Sequence, residues 1–294
     1  MSIELEIQDG SPWFLSPNIW TVPGSDPTGA PSTPIVGETC YMWARVRNNG
    51  SSQASNAQVR FYWANPSVGF DRNTANFIGS ANVSLAPGEV RDVLCLTPWV
   101  PVFVNSGHEC VLAEAFHPTG DPLPASPAFN VPTDRHVAQR NLGVVFAAKI
   151  KGMMFSASFS VCNSSRKDQT FRVFAKPGRL EELKPLVEHL GDKIPLQAMG
   201  ELKNVGFITE PCADEHAIKD AVPIVERLTV KGKVCTGLTV VGQLEGDAAL
   251  LHVIQEAGGK EVGGLSVLVL NGDVYKPEER THEQKETENN RGTR

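Results

Sequence analysis

Gly37-Glu-Thr-Cys-Tyr-Met-Trp-Ala-Arg-Val-Arg-Asn-Asn-Gly50, followed by Ala57-Gln-Val-Arg-Phe-Tyr-Trp63, is the stretch that decides the fold class. Cys40, Met42, Ala44 and Val46 alternate with polar or amphipathic residues in the first arm, and Val59, Phe61 and Trp63 alternate in the second. A period of two is the signature of a half-buried antiparallel strand. Between the arms, Asn48 to Asn56 has the Gly, Ser and Asn content of a surface turn. The pair predicts a β-sandwich, an architecture that mostly binds or builds.

Working outward, further strands are expected at residues 81–85, 90–96 and 110–117, with Leu85-Ala-Pro-Gly-Glu-Val90 as a turn between two of them. Residues 1–36 form a Pro-rich segment in which Trp13, Phe14, Ile19 and Trp20 are embedded; the aromatics should pin it, irregular but ordered, onto the sandwich of residues 37–142. Residues 143–275 again show alternating runs, at 143–151, 155–161, 170–175, 227–234, 248–255 and 261–270. Leu180, Leu183, Leu186, Val187 and Leu190 recur at helical spacing, which predicts a helix near 180–191 that starts or bends at Pro185. The fold class expected is therefore all-β: two immunoglobulin-like β-sandwiches in tandem, the second with a helical insertion. Residues 276–294 are charged and almost without apolar side chains, and read as a disordered tail.

Charge supports the division. The chain has 294 residues and a formal net charge of −6. No lysine precedes Lys149, and all five tryptophans fall before residue 100. Neither part has a basic stripe, so nucleic acid is not an expected partner. No apolar run approaches the roughly 20 residues of a membrane-spanning helix. The N-terminal Met-Ser-Ile-Glu-Leu-Glu-Ile is acidic and alternating rather than a secretory signal. Location is thus left between the cytoplasm, export by a route that reads no such signal, and a leader outside this sequence.

The runs Gly37–Arg47 with Asn48-Asn-Gly50, Val59–Ala64, Leu85–Glu89 and Gly107-His-Glu-Cys-Val-Leu-Ala113 resemble immunoglobulin-like modules of bacterial surface proteins, and most closely the cell-adhesion-related domain of bacteria. The resemblance covers residues 37–117 and implies a β-sandwich used for adhesion or as a spacer, with no catalytic residues to carry over. The order Cys40, Trp63, Cys110 resembles the Cys–Trp–Cys arrangement of immunoglobulin domains, which implies a Cys40–Cys110 disulfide. Two core thiols facing each other while reduced are the other reading.

Chemistry-bearing motifs are sparse. Glycine phosphate loops, the Gly-x-Ser-x-Gly elbow and His-Glu-x-x-His are all absent. Cys212 and His216 are weak candidates for a zinc site, His117–Pro122 with Asp9, Asp26 and Asp121 for calcium, and His108 with Cys110 for a nucleophile–base pair. No cofactor is expected. On the face of the first strand opposite Cys40–Val46 stand Tyr41, Trp43, Arg45 and Arg47, joined by Tyr62 from the next strand. These residue types are enriched as interface anchors. Either they meet another molecule, or the chain's own Trp13, Phe14 and Trp20 cover them. The reading favoured is a non-enzymatic structural subunit or adhesion module of a larger bacterial assembly, with self-association or a protein partner. The alternatives are a carbohydrate- or protein-binding module and, third, a hydrolase with a non-local site such as His108, Asp121 and His136.

Overall fold

The structure, a computed structural model, describes residues 1–64, 67–68, 70–102, 110–148, 152–190, 200–209 and 220–275. It is all-β. Strands β1 (Leu5–Glu6), β2 (Ile19–Pro23), β3 (Cys40–Asn48), β4 (Ala54–Ala64), β5 (Ser67–Val68), β6 (Asn76–Leu85), β7 (Val90–Trp99), β8 (Cys110–Phe116) and β9 (Val137–Arg140) come first. After them follow β10 (Leu142–Ala147), β11 (Met154–Cys162), β12 (Gln169–Gly178), β13 (Gly200–Ile208), β14 (Ile224–Val230), β15 (Cys235–Gly246), β16 (Ala248–Ala257) and β17 (Lys260–Asn271).

Four sheets stack as two sandwiches. In the first, β3 pairs with β1, β2 and β7, and the order β6-β4-β8-β9 forms the facing sheet. Leu5, Ile19, Met42, Val46, Val59, Phe61, Val93 and Val111 fill the space between them. The alternation of β3 is visible in its burial: the even-numbered residues Cys40 to Val46 are buried and the odd-numbered ones half-buried or exposed. In the second sandwich the order β10-β17-β16-β12-β14 faces β13-β15-β11-β5, over a core of Phe155, Phe159, Phe171, Phe207, Val240, Leu251, Val253 and Val267.

The Pro-rich N-terminal segment contributes two strands. Ile19 to Pro23 pair antiparallel with Ala44 to Cys40, so the segment lies beside β3 in the same sheet. Residues 180–189 form a 3₁₀ segment, where the leucine spacing predicted a helix. Pro185 inside it has no N–H and crowds the preceding turn, which disfavours regular α-helical bonding there.

Three features tie the sandwiches together. Strand β5 follows β4 of the first sandwich yet pairs in parallel with β11 of the second. β16 and β17 are buried on both faces; Phe14, Leu15, Leu183 and Leu186 pack over the side away from the main core, against Leu250, Ile254 and Leu268. Gly264 makes this possible, because a Cβ there would sit 2.2 Å from the Phe14 ring. Asn141, between β9 and β10, donates its Nδ2–H to Gly264 O at 2.8 Å, and its N–H donates to Phe14 O at 2.9 Å. Lys233 completes the junction by pairing with the buried carboxylate of Asp71 at 2.7 Å.

Candidate functional site

The outer face of β3 is occupied in steps from inside the chain. Trp43 donates its indole N–H to Pro27 O at 2.9 Å and stacks nearly parallel on Trp20, with centroids 6.0 Å apart. Trp20 stacks in turn on His189, 4.8 Å away at the end of the 3₁₀ segment. The Arg45 guanidinium lies over Trp20 at 5.6 Å and grips Asp92 with two bonds of 2.7 and 2.9 Å. Burial and the Arg140 charge pull His189 down to about 4, so it stacks as a neutral ring. Tyr41 is half-buried and Arg47 exposed along the same strand.

Tyr62 is elsewhere. β4 lies in the facing sheet, and Phe61 and Tyr62 belong to two different cores, so both side chains are buried. The Tyr62 ring packs on Phe129 and beside Leu112 and Val131, while its hydroxyl donates to Glu114 at 2.7 Å. Burial first, and then the Glu114 carboxylate, push its phenol well above the ordinary range. The expectation that Tyr62 shares an open face with Tyr41 is corrected: a second small core covers that side of the sheet.

The cysteines also depart from the resemblance. Cys40 and Cys110 are buried as thiols and not bridged to each other. The guanidinium of Arg140 is charge-coupled to both sulfurs, donates to Thr21 Oγ1 at 3.1 Å, and is held down to about 10 by burial. Burial raises the Cys110 thiol in the same way. The disulfide in the structure joins Cys162 to Cys235, which the register of β11 and β15 places directly opposite one another.

The calcium candidates have separate partners. Asp26 accepts from the backbone N–H and hydroxyl of Thr28. Asp121 accepts from the backbone N–H of Leu5 at 2.6 Å and from Arg135. Asp9 is pushed up to about 7 by burial and by Glu6 and Asp134. Among the described residues no three His, Cys, Asp or Glu side chains are grouped to hold a metal ion. Cys212, His216 and His108 lie outside the described residues.

Two polar constellations stand out, the first unforeseen and the second partly named in the sequence reading. Ser266, His252 and Glu182 form a line, with His252 Nδ1 2.9 Å from Ser266 Oγ and Nε2 2.6 Å from Glu182 Oε2. These are the residue types of a hydrolytic triad. Ser266, however, is 0% exposed and lies opposite His252 in the β16–β17 pairing, so no substrate atom reaches it. The second constellation joins Asp121 and His136 of the non-local set. His136 lies between Asp134, 2.6 Å from Nδ1, and Asp121, 3.1 Å from Nε2. Burial opposes its charge, but the two carboxylates outweigh that and raise its pKa. Both constellations join loops to strands; packing closes the first around Ser266, and the second reaches a cleft at Asp134.

No protein-family model and no curated protein matches this chain. Solved structures do. The CARDB domain of a Pyrococcus furiosus protein, solved with di-metal ions, is 16% identical, covers 47% of this chain and 85% of its own, and superposes with a TM-score of 0.28. A Mobiluncus mulieris adhesin containing intramolecular disulfide, isopeptide and ester cross-links is 8% identical over 86% of this chain and 96% of its own, at a TM-score of 0.24. A red sea bream transglutaminase is similar at 10% identity and a TM-score of 0.22, with 86% of this chain but 31% of its own covered. The all-β fold fits these neighbours, and scores at this level carry no argument about function.

Trp20 was one of the covering residues the sequence suggested for β3, whereas nothing in its periodicity pointed to His189. Trp20 sits in a strand buried along most of its length, and His189 comes from the other sandwich. The aromatic content of residues 11–20 was the available signal, and Phe14 proves the most consequential residue of that segment.

Proposed function

We propose that this chain is a non-enzymatic structural or adhesion module, in which two β-sandwiches are held in fixed relation so that one end positions the other within a larger assembly. The observation that carries the reading is the junction: Phe14 seated on Gly264, β5 shared into the second sandwich, and the Asp71–Lys233 pair. A catalyst built at a junction needs an approach to its reactive groups, whereas Ser266 and His252 are buried at 0% and 2% exposure. A spacer or subunit needs rigidity and an outward surface. Tyr41, Arg45 and Arg47 on β3, with Val90 and Leu96 exposed on the neighbouring β7, supply such a surface.

Size-exclusion chromatography with light scattering tests this directly. The expected result is a species larger than one chain, reduced to the single chain by Tyr41→Ser with Arg47→Glu, at an unchanged melting temperature. A lowered melting temperature with no change in assembly assigns these side chains to the fold alone and overturns the assembly surface. Turnover of a chromogenic ester or glycoside that His252→Gln abolishes overturns the non-enzymatic reading.

A further inference from the structure

Where the two sandwiches meet, beside the Cys162 end of β11, lies a cleft of about 360 Å³. Its first wall is the loop leading to β9, with Asn130, Thr133 and Asp134; its second is Ser164, Gln169 and Gln255. Phe129 and Phe171 add one apolar edge from each side. The size suits one or two sugar rings, at the small end of ligand pockets.

Gln255 is the decisive residue. It is 1% exposed, and its Nε2–H donates to Cys162 O at 3.3 Å. Its Oε1 has no hydrogen-bond partner among the described residues. A buried acceptor left unmade is unfavourable and rare in folded proteins. Here the unmade acceptor belongs to a residue that lines a cleft, where a ligand hydroxyl would complete it. Around it stand hydroxyls and amides, groups that both donate and accept.

Charge narrows the ligand class. Asp134 lines the cleft, and its charge disfavours an anion there, yet His136 binds its Oδ1 and the Arg72 guanidinium stands 3.9 Å from its Oδ2. With Arg72 on Asp134 and Lys233 on Asp71 nearby, an added ammonium finds no uncompensated carboxylate. A neutral ligand rich in hydroxyls, with an apolar C–H face for the phenylalanine edges, fits what remains. From this geometry we infer that the cleft binds a neutral carbohydrate unit, held between the two sandwiches by Gln255, Asn130 and Thr133. This binding activity stands apart from the assembly surface on β3.

Saturation-transfer NMR on the full chain is the test. The probes are glucose, galactose, mannose, N-acetylglucosamine, maltose and lactose, with glucuronate and glucosamine as charged counterparts. Transfer to at least one neutral sugar is expected, absent for its charged counterparts. Ser164→Trp, which fills the cleft from an accessible position, should abolish it. Gln255→Leu should weaken it about tenfold, the effect of one hydrogen bond lost. If Gln255→Leu fails to fold, Ser164→Trp with Asn130→Ala carries the test alone. The proposal is overturned by no transfer to any neutral sugar, by transfer that survives Ser164→Trp, or by preference for a charged sugar.

Discussion

Asp9 is the residue whose surroundings fit its charge least. One carboxylate oxygen is buried without a partner, and burial together with Glu6 and Asp134 moves its pKa from 3.8 to about 7. Between those two values the folded chain holds a proton that the unfolded chain has released. Stability therefore falls as pH rises from about 4 to about 7, and is level above that. Asp9 retains some exposure, and solvent screening cuts the effect to about 1–2 kcal/mol. Asp9→Asn should accordingly raise the melting temperature by several degrees at pH 8 and hardly change it at pH 4.5. An equal shift at both pH values would mean that the carboxylate is ionised throughout and well solvated. Tyr62 shows the other side of residue-scale reading. Period-two alternation assigns it to an outer face, but a second core on that face buries it. Alternation identifies a strand securely and identifies an open face only where nothing else packs there.

Legibility of the elements follows the same physics. β3 and β7 were readable because each keeps partly exposed residues along its length, whereas β15 carries Leu238 to Val241 buried in succession and β2 is buried from Ile19 to Val22. Strands covered on both faces lose the alternating signal. The Cys162–Cys235 bond was unreadable because its partners are 73 residues apart, and only the β11–β15 register brings them opposite. Closing a loop of that length should stabilise the chain by about 2–4 kcal/mol. Cys162→Ser should therefore shift the urea midpoint to lower concentration, and dithiothreitol should shift the wild type to the same place. A wild-type curve insensitive to the reductant would show that the bond is not formed in solution. The Phe14 seat invites a sharper test. Phe14→Ala should cost about 3–5 kcal/mol and Gly264→Ala about 1–3 kcal/mol, the first by a cavity and the second by overpacking. Their double mutant should be more stable than the sum, since the added methyl enters space that the ring vacates.

At the scale of the whole molecule, the open question is whether two sandwiches act as one body. The residues that join them come from scattered places: Phe14 from the N-terminal segment, Asn141 from the linker between β9 and β10, β5 from a loop and Lys233 from a turn. No window of sequence holds this junction, which is why composition divided the chain at residue 142 and left the coupling unseen. Coupling of this kind has a thermodynamic signature. All five tryptophans lie in the first sandwich or its N-terminal segment, so their fluorescence reports that part, while far-ultraviolet circular dichroism reports both. If the junction is as strong as its buried contacts imply, the two probes should follow a single coincident thermal transition. Phe14→Ala removes the largest apolar contact across the junction and should separate them, the second sandwich losing the cover over β16 and β17 and melting first. Coincident transitions in that variant would place the coupling in β5 and the Asp71–Lys233 pair instead. Two separate transitions in the wild type would reduce the junction to a contact between independent bodies and remove the rigid spacer from the functional reading.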